Sequence, residues 1–275
     1  MQVENRSLQL ELLKMMKEFH RVCEENGLTY YMLGGTALGA VRHQGFIPWD
    51  DDMDVGMPRK DYDRLYELSK QILPSNLELR FYKNTEKSPF HFMKLINKNT
   101  TLVERVYKNY VEGIYIDVFP LDGMKKYGFF NKVRGELIYL LHATIMNHFY
   151  TKERRCFLKK TFEFFAKKLN HIFLHDLLER LMTMEKKENY PNYLCNFLGA
   201  WRDREFIPVG VFSNPVLYKF EDASFFGPKE ADLYLTSLYG DYMRLPPEKD
   251  RICKHDYYYV NLNLPYKEYI KKGDK

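Results

Sequence analysis

Several features that define other protein classes are scarce in this chain. Its 12 prolines and 15 glycines form no low-complexity tract, and no internal repeat is found, so linkers, disordered segments and repeat folds are disfavoured. The net charge of +5 is mild, and no nucleic-acid-reading motif accompanies it. We therefore expect a folded protein that has no nucleic acid among its partners.

Long hydrophobic runs and targeting patterns are lacking as well. The longest apolar stretch, residues 137–146, is too short to span a bilayer. The first residues, MQVENR, show neither an apolar signal core nor a transit-peptide pattern. The four cysteines lack metal-ligand spacing and are typical of reduced intracellular residues: Cys23, Cys156, Cys195 and Cys253. These observations predict a cytoplasmic protein.

What the chain does contain is a concentration of carboxylates between apolar residues. Asp50, Asp51, Asp52 and Asp54 fall within five positions, preceded by FIPW and followed by apolar residues. In extended backbone, Asp52 and Asp54 would point to one face about 7 Å apart. Two charges at that distance repel by roughly 2 kcal/mol at an effective dielectric of about 20. A cation would relieve this repulsion, and an all-carboxylate set suits Mg²⁺, Mn²⁺ or Ca²⁺.

Three interpretations of this acidic cluster compete. A solvated acidic loop is disfavoured by the apolar flanks. A calcium loop of the EF-hand type matches Asp50, Asp52 and Asp54, but Val55 stands where that loop needs glycine and Asp61 where it needs glutamate. The third interpretation is a catalytic magnesium site that holds substrate phosphates, and the residues upstream favour it.

The upstream residues predict a phosphate-binding turn. Residues 29–33 are typical of a short strand, and Gly34-Gly35 allows a tight turn and close approach to a ligand. Thr36 is predicted to cap the next helix, so that free N–H groups and a hydroxyl face an anion. Arg42 adds a planar fork suited to phosphate oxygens. A phosphate turn beside a carboxylate cluster is what a Mg²⁺-bound diphosphate needs.

The order of strand, Gly-Gly-Thr turn, helix and Asp-x-Asp resembles the nucleotidyltransferase superfamily that includes polymerase β. The string GGTALGAVRHQGFIPWDDDMDVGMPRKDY, residues 34–62, closely resembles the LicD family of phosphocholine transferases, whose catalytic region is also found in fukutin-related proteins. Further matches are GIYIDVFPLD at 113–122 and YGDYMRLPPE at 239–248. The resemblance therefore covers nearly the whole chain.

The resemblance implies a reaction and its ligands. One or two Mg²⁺ ions, with Mn²⁺ as an alternative, would be held by the catalytic residues Asp52, Asp54 and Asp117. The donor would be CDP-choline, and phosphocholine would pass to a sugar hydroxyl of teichoic acid or a surface glycan precursor, releasing CMP. The resemblance leaves open whether this acceptor is linked to a lipid.

The third ligand rests on a superfamily pattern that calls for a carboxylate on a later strand. Residues 114–119 alternate as a strand does, and Asp117 is their one charge. A solvent-facing acid at a sheet edge is the alternative, which the apolar neighbours disfavour. Asp122 follows Pro-Leu and is interpreted as a turn residue.

Other residues are weaker candidates for substrate binding. Lys94 on a predicted strand can neutralise the donor diphosphate or face solvent. His43 can contact phosphate, orient an aspartate or be structural. Trp49 and Tyr115 are predicted to hold the quaternary ammonium of choline by their ring faces.

The chain is interpreted as one elaborated α+β domain over residues 1–275. A nucleotidyltransferase-like mixed-sheet core (1–125) precedes added C-terminal helices, with a helical region (126–204) and a C-terminal region (205–275) that completes the pocket with Asp241 and Arg251. Predicted helices cover 8–22, 59–73, 129–187 and 230–238, and predicted strands cover 29–33, 77–82, 91–96, 101–107 and 114–119.

The helical region also allows a membrane interpretation. Between residues 157 and 169, lysines alternate with phenylalanines and leucines, and a basic amphipathic helix can lie on an anionic surface. Packing of the apolar residues on the core, with the lysines in solvent, is the favoured alternative. Peripheral contact with the inner face of a membrane stays open.

Rival functions stay open as well. A metal-dependent glycosyltransferase also uses Asp-x-Asp to hold a nucleotide-sugar diphosphate, although it does not need the Gly-Gly-Thr turn. A calcium-binding module without catalysis would keep the acids and ignore nucleotides. A transferase using CDP-activated glycerol, ribitol or ethanolamine would share the whole site except for the head-group contacts.

Overall fold

The computed structural model describes residues 5–85, 88–107, 110–149, 171–185, 191–253 and 255–273. The helices in these ranges are α1 (Asn5–Glu25), α2 (Gly34–His43), α3 (Arg59–Ile72), α4 (Phe129–Phe149), α5 (His171–Met182), the single turn α6 (Val209–Phe212), α7 (Ala231–Tyr239) and α8 (Tyr266–Gly273). The strands are β1 (Tyr31–Met32), β2 (Asp54–Pro58), β3 (Leu77–Arg80), β4 (Met93–Asn97), β5 (Thr101–Glu104), β6 (Tyr115–Met124), β7 (Tyr193–Cys195), β8 (Phe206–Pro208), β9 (Val216–Phe220), β10 (Ala223–Gly227) and β11 (Tyr257–Asn261).

A mixed sheet lies at the centre of the described residues. Its strand order is β1-β2-β6-β4-β3, and β7 and β8 extend it from the far end of β6. β2 and β6 run parallel with Asp54 opposite Asp117, whereas β1 pairs with β2, and β4 with β6, in the antiparallel sense. Residues directly opposite on neighbouring strands point to the same side of a sheet. The fold therefore places these two carboxylates side by side, and the α+β class is confirmed.

The main core lies between this sheet and the helices around it. The spacing of apolar residues that predicts a helix over 8–22 corresponds to α1, which buries Leu12, Met16 and Phe19 against the sheet. α3 buries Tyr62 and Leu65, and the Tyr62 hydroxyl accepts a hydrogen bond of 2.9 Å from the backbone N–H at the start of β4. The helices thus fix the sheet that carries the acids.

A smaller second core joins α4 and α5 to the sheet. It contains Ile138, Ile145 and Leu178 from the helices and Phe90 and Phe92 from the segment just before β4. The predicted helix over 129–187 is confirmed for α4 and α5, while the basic stretch between 157 and 169 lies outside the described residues. None of the helices in the described ranges is both long and apolar enough to cross a bilayer.

Asp122 is not the turn residue that its Pro-Leu context predicts. It lies within β6, opposite Cys195 of β7, and is 1% exposed. Arg59 donates two hydrogen bonds to its carboxylate, at 2.8 and 2.7 Å, and reaches Glu179 on α5 with its remaining terminal nitrogen at 3.3 Å. The strand continues past Pro120 because β7 offers a new partner there, which no local pattern reveals.

The C-terminal third contains more strand than the predicted helical addition. β9 and β10 form a hairpin, β7 and β8 extend the central sheet, and β11 pairs with β5 across more than 150 positions of sequence. The predicted helix over 230–238 corresponds to α7, and the strands around it were not predicted. These strands are short, and their partners are supplied by distant segments.

Candidate active site

The glycine turn lies directly against the acids. Gly34 has a positive φ of 47°, and its N–H donates to the Tyr234 hydroxyl at 3.0 Å. A Cβ atom at Gly35 would lie 2.7 Å from Oδ2 of Asp50, and one at Gly34 would lie 3.5 Å from Oδ2 of Asp54. A side chain at position 35 would therefore displace the Asp50 carboxylate from its present position.

Thr36 does not cap the helix as predicted. α2 begins two residues earlier, and the extended Leu33 holds the cap position without a side-chain bond. The Thr36 hydroxyl instead accepts a 2.8 Å hydrogen bond from the backbone N–H of Asp54. Together with the 3.0 Å bond from the N–H of Leu33 to the carbonyl of Asp54, it joins the turn to the start of β2.

The predicted carboxylates occupy adjoining positions. Asp54 opens β2 opposite Asp117 on β6, and Asp52 lies in the loop before β2, where one oxygen each from Asp50, Asp51 and Asp52 lies within 4.8 Å of the others. Oδ1 of Asp117 is buried and has no hydrogen-bond partner. A buried, unpartnered carboxylate oxygen beside other carboxylates suits a hard divalent cation, and the residues present therefore fit one.

Burial and mutual repulsion disfavour the ionised forms of these acids. Burial and the neighbouring Asp52 raise the pKa of Asp50 to about 7. Burial raises the pKa of Asp117 to about 7 as well, against the attraction of Lys94. The pKa of Asp54 is raised well above its usual range by burial and by Asp52 and Asp117. A cation bound between these carboxylates would offset their repulsion and favour their ionised forms.

Two residues of the tail, to which the sequence pattern assigns no role, hold Asp51. The Cys253 thiol donates to its Oδ2 at 2.7 Å, and Nδ1 of His255 donates to its Oδ1 at 2.8 Å, while Nε2 of His255 lies 3.8 Å from Asp52. Burial lowers the pKa of His255, but the hydrogen bond to Asp51 and the charge of Asp52 outweigh it and raise this pKa to about 10. The positively charged His255 thus lies beside the acids and forms an ion pair with Asp51.

The tail motif of residues 239–248 closes over the glycine turn. The Arg42 guanidinium donates to the Tyr242 carbonyl at 2.7 Å and to a ring nitrogen of His43 at 3.0 Å. The Tyr239 hydroxyl would lie 3.7 Å from a Cβ atom at Gly34. Asp241, by contrast, is exposed. The tail motif therefore holds Arg42, and Arg42 in turn holds the His43 ring.

Lys94 and Tyr115 engage each other. Lys94 is 1% exposed, its ammonium forms a 2.7 Å ion pair with Glu112, and it lies 3.2 Å from the centroid of the Tyr115 ring. The Tyr115 hydroxyl donates to Glu104 at 2.8 Å. Lys94 stands opposite Asp117 in the β4–β6 register. Lys94 therefore approaches the acids from within the core. Its ammonium group occupies the face of the Tyr115 ring that was predicted to bind choline.

Trp49 borders a cavity of about 930 Å³ next to the acids. The cavity is also lined by Asp51, His255, Tyr257 and Tyr258. Arg251 lies 5.8 Å from the centroid of the Trp49 ring. The aromatic surface near the acids is therefore supplied by the loop before β2 and by the tail.

The chain is similar in sequence to several known proteins. Residues 27–160 match the family model described as LicD/FKTN/FKRP, nucleotidyltransferase domain. Over 264 residues, 91% of this chain and 95% of the relative, the chain is 28% identical to the lipopolysaccharide cholinephosphotransferase LicD of Haemophilus influenzae. A 47-residue segment, 17% of this chain and 10% of the relative, is 43% identical to the ribitol 5-phosphate transferase FKRP of Homo sapiens.

Proposed function

Because the chain belongs to the LicD family, we propose that it is a phosphotransferase that moves phosphocholine from CDP-choline to a sugar hydroxyl and releases CMP. The acceptor is a teichoic acid or a surface glycan precursor. The observation that carries the proposal is the parallel register of Asp54 and Asp117 beside the Gly34-Gly35 turn, with one buried oxygen of Asp117 unpartnered.

Each group of the site has a task in this reaction. Asp52, Asp54 and Asp117 would hold Mg²⁺ or Mn²⁺, with Asp50 as a further carboxylate. Such an ion supplies neutralisation of the donor diphosphate and of the departing CMP. The acceptor oxygen forms a bond to phosphorus as the bond from phosphorus to the CMP oxygen breaks. The proton of the acceptor hydroxyl passes to the Asp117 carboxylate, which acts as the general base.

The choline head group needs aromatic faces and a nearby carboxylate. Of the two predicted rings, Tyr115 already faces the Lys94 ammonium. We place the head group instead in the cavity that Trp49 lines together with Tyr257 and Asp51. The local similarity to a ribitol 5-phosphate transferase keeps a polyol phosphate as the second candidate for the transferred group.

The metal assignment is tested by Asp52→Asn and Asp54→Asn. Each variant is expected to lose turnover, measured as CMP release from CDP-choline with Mg²⁺ and a sugar acceptor, and to keep a folded state that is at least as stable without metal. Asp222→Asn, which changes a 70% exposed side chain, is the matched control and is expected to retain activity. Turnover retained by either site variant would remove that residue from the catalytic set.

The head group is tested by a panel of CDP-choline, CDP-ethanolamine, CDP-glycerol and CDP-ribitol. A cation–π contribution of about 1–2 kcal/mol predicts a preference for CDP-choline over the uncharged donors of roughly 5- to 30-fold. Trp49→Leu is expected to reduce this preference while sparing the slower reaction with polyol donors. If the wild-type chain used a polyol donor equally well or better, the transferred group would be assigned as a polyol phosphate. The phosphotransferase proposal itself would stand.

A further inference from the structure

The start of α4 exposes an unusual amount of apolar surface. Phe129 and Phe130 are 76% and 87% exposed, and Val133 and Leu137 are 43% and 44% exposed. Phe130, Val133 and Leu137 are spaced by three and four residues, so they form one stripe along the helix. Single exposed apolar residues are common, but a contiguous stripe that begins with two phenylalanines marks an interaction surface.

This stripe is distinct from the face by which α4 packs on the protein. Arg134, Ile138, Leu141 and Ile145 are 6% exposed or less, and the three apolar side chains among them belong to the second core. α4 therefore has two apolar faces, and in the described part of the chain only one of them is covered.

Lysines flank the start of the exposed stripe. Lys125, Lys126 and Lys132 are exposed next to the two phenylalanines. Residues 151–170, between α4 and α5 in the sequence, contain seven basic and two acidic residues. Their net charge of +5 equals that of the whole chain, so the rest of the protein is neutral overall. The excess positive charge of the sequence is thus concentrated in the segment that follows this helix.

We propose that Phe129, Phe130, Val133, Leu137 and the three flanking lysines form a docking surface for an anionic lipid bilayer, here called the α4 surface. Aromatic rings bury favourably at the boundary between head groups and acyl chains, and lysines near that boundary attract anionic lipids. The charge favours a bilayer over a second copy of this chain, whose own α4 surface would be equally basic. The proposal is independent of the phosphotransferase activity.

The α4 surface is tested by sedimentation of the full chain with vesicles. The wild-type chain is expected to sediment with vesicles of phosphatidylglycerol and phosphatidylcholine in equal parts, to release them as salt rises, and to bind pure phosphatidylcholine far more weakly. The double variant F129S/F130S is expected to reduce the partition coefficient about tenfold or more, since two large apolar side chains are lost from the interface. Leu233→Ser on α7, which alters a 58% exposed leucine, is the matched control and should bind as wild type.

A second measurement does not depend on loss of binding. A nitroxide attached through Phe130→Cys should become accessible to lipid-dissolved oxygen when anionic vesicles are added, whereas a label attached through Leu233→Cys should not. The proposal is overturned if F129S/F130S binds anionic vesicles as tightly as wild type, or if neutral vesicles bind equally well. It is also overturned if light scattering shows a wild-type dimer that F129S/F130S converts to a monomer while vesicle binding is absent.

Discussion

Asp117→Asn is expected to stabilise the metal-free protein at slightly alkaline pH while it removes activity. Oδ1 of Asp117 is buried without a hydrogen-bond partner, and burial raises the pKa of this carboxyl from 3.8 to about 7. Each pKa unit corresponds to about 1.4 kcal/mol of difference between the charged and neutral forms. Ionisation of Asp117 therefore lowers the free energy of unfolding of the wild-type chain. Asparagine cannot ionise, so the variant does not suffer this loss.

The sign and the pH window follow from linkage. Because the folded pKa lies above the unfolded value, the folded state holds the proton more tightly, and stability falls as pH rises from about 4 to about 7. The penalty reaches about 4 kcal/mol at pH 8 as an upper value and is about 2 kcal/mol at pH 5. We expect Asp117→Asn to exceed the wild-type free energy of unfolding by about 2–4 kcal/mol at pH 8, or about 5–10 °C in Tm, and by roughly half of that at pH 5.

The assay is urea and thermal denaturation of both chains in EDTA at the two pH values, repeated with Mg²⁺. Added Mg²⁺ should stabilise the wild-type chain more than the variant, and CMP release by the variant should fall at least about 100-fold. The reasoning is refuted if the metal-free variant is less stable than wild type at pH 8. It is equally refuted if the gap between the two chains is the same at both pH values.

Three further substitutions test the surroundings of the site. Asp122→Asn breaks a buried, doubly hydrogen-bonded charge pair and should lower the free energy of unfolding by about 3–5 kcal/mol in urea; an unchanged midpoint would contradict this. Gly35→Ala should weaken Mg²⁺ binding in calorimetry, because its Cβ would lie 2.7 Å from Oδ2 of Asp50, whereas Gly210→Ala has no atom within 4 Å of its Cβ and should match wild type. Lys94→Met should lower stability by about 3 kcal/mol in thermal denaturation, because its buried glutamate partner loses its counter-charge, and an unaltered Tm would argue against that.

Structural features that depend on neighbouring residues could be predicted from the sequence. The spacing of apolar side chains predicts α1 and α3, and the alternation around Asp117 predicts the first half of β6. The close succession of a Gly-Gly turn and the acidic cluster likewise predicts that they lie together, which the 2.7 Å approach between a Cβ at Gly35 and Asp50 reflects. Here the causes are backbone geometry and side-chain period, both local properties of the chain.

Features that depend on a distant partner were decided only by the tertiary structure. Asp122 follows a Pro-Leu pair typical of a turn, yet a strand beginning at Tyr193 and a buried arginine hold it inside a sheet. His255 lies 204 positions from Asp51, and no spacing rule connects the two. Lys94 shows the same limit, since its ammonium is neutralised by Glu112 within the core. A buried charge must find its counter-charge in the folded chain, because leaving it unpaired costs several kcal/mol, and which residue supplies that charge is decided when distant strands meet.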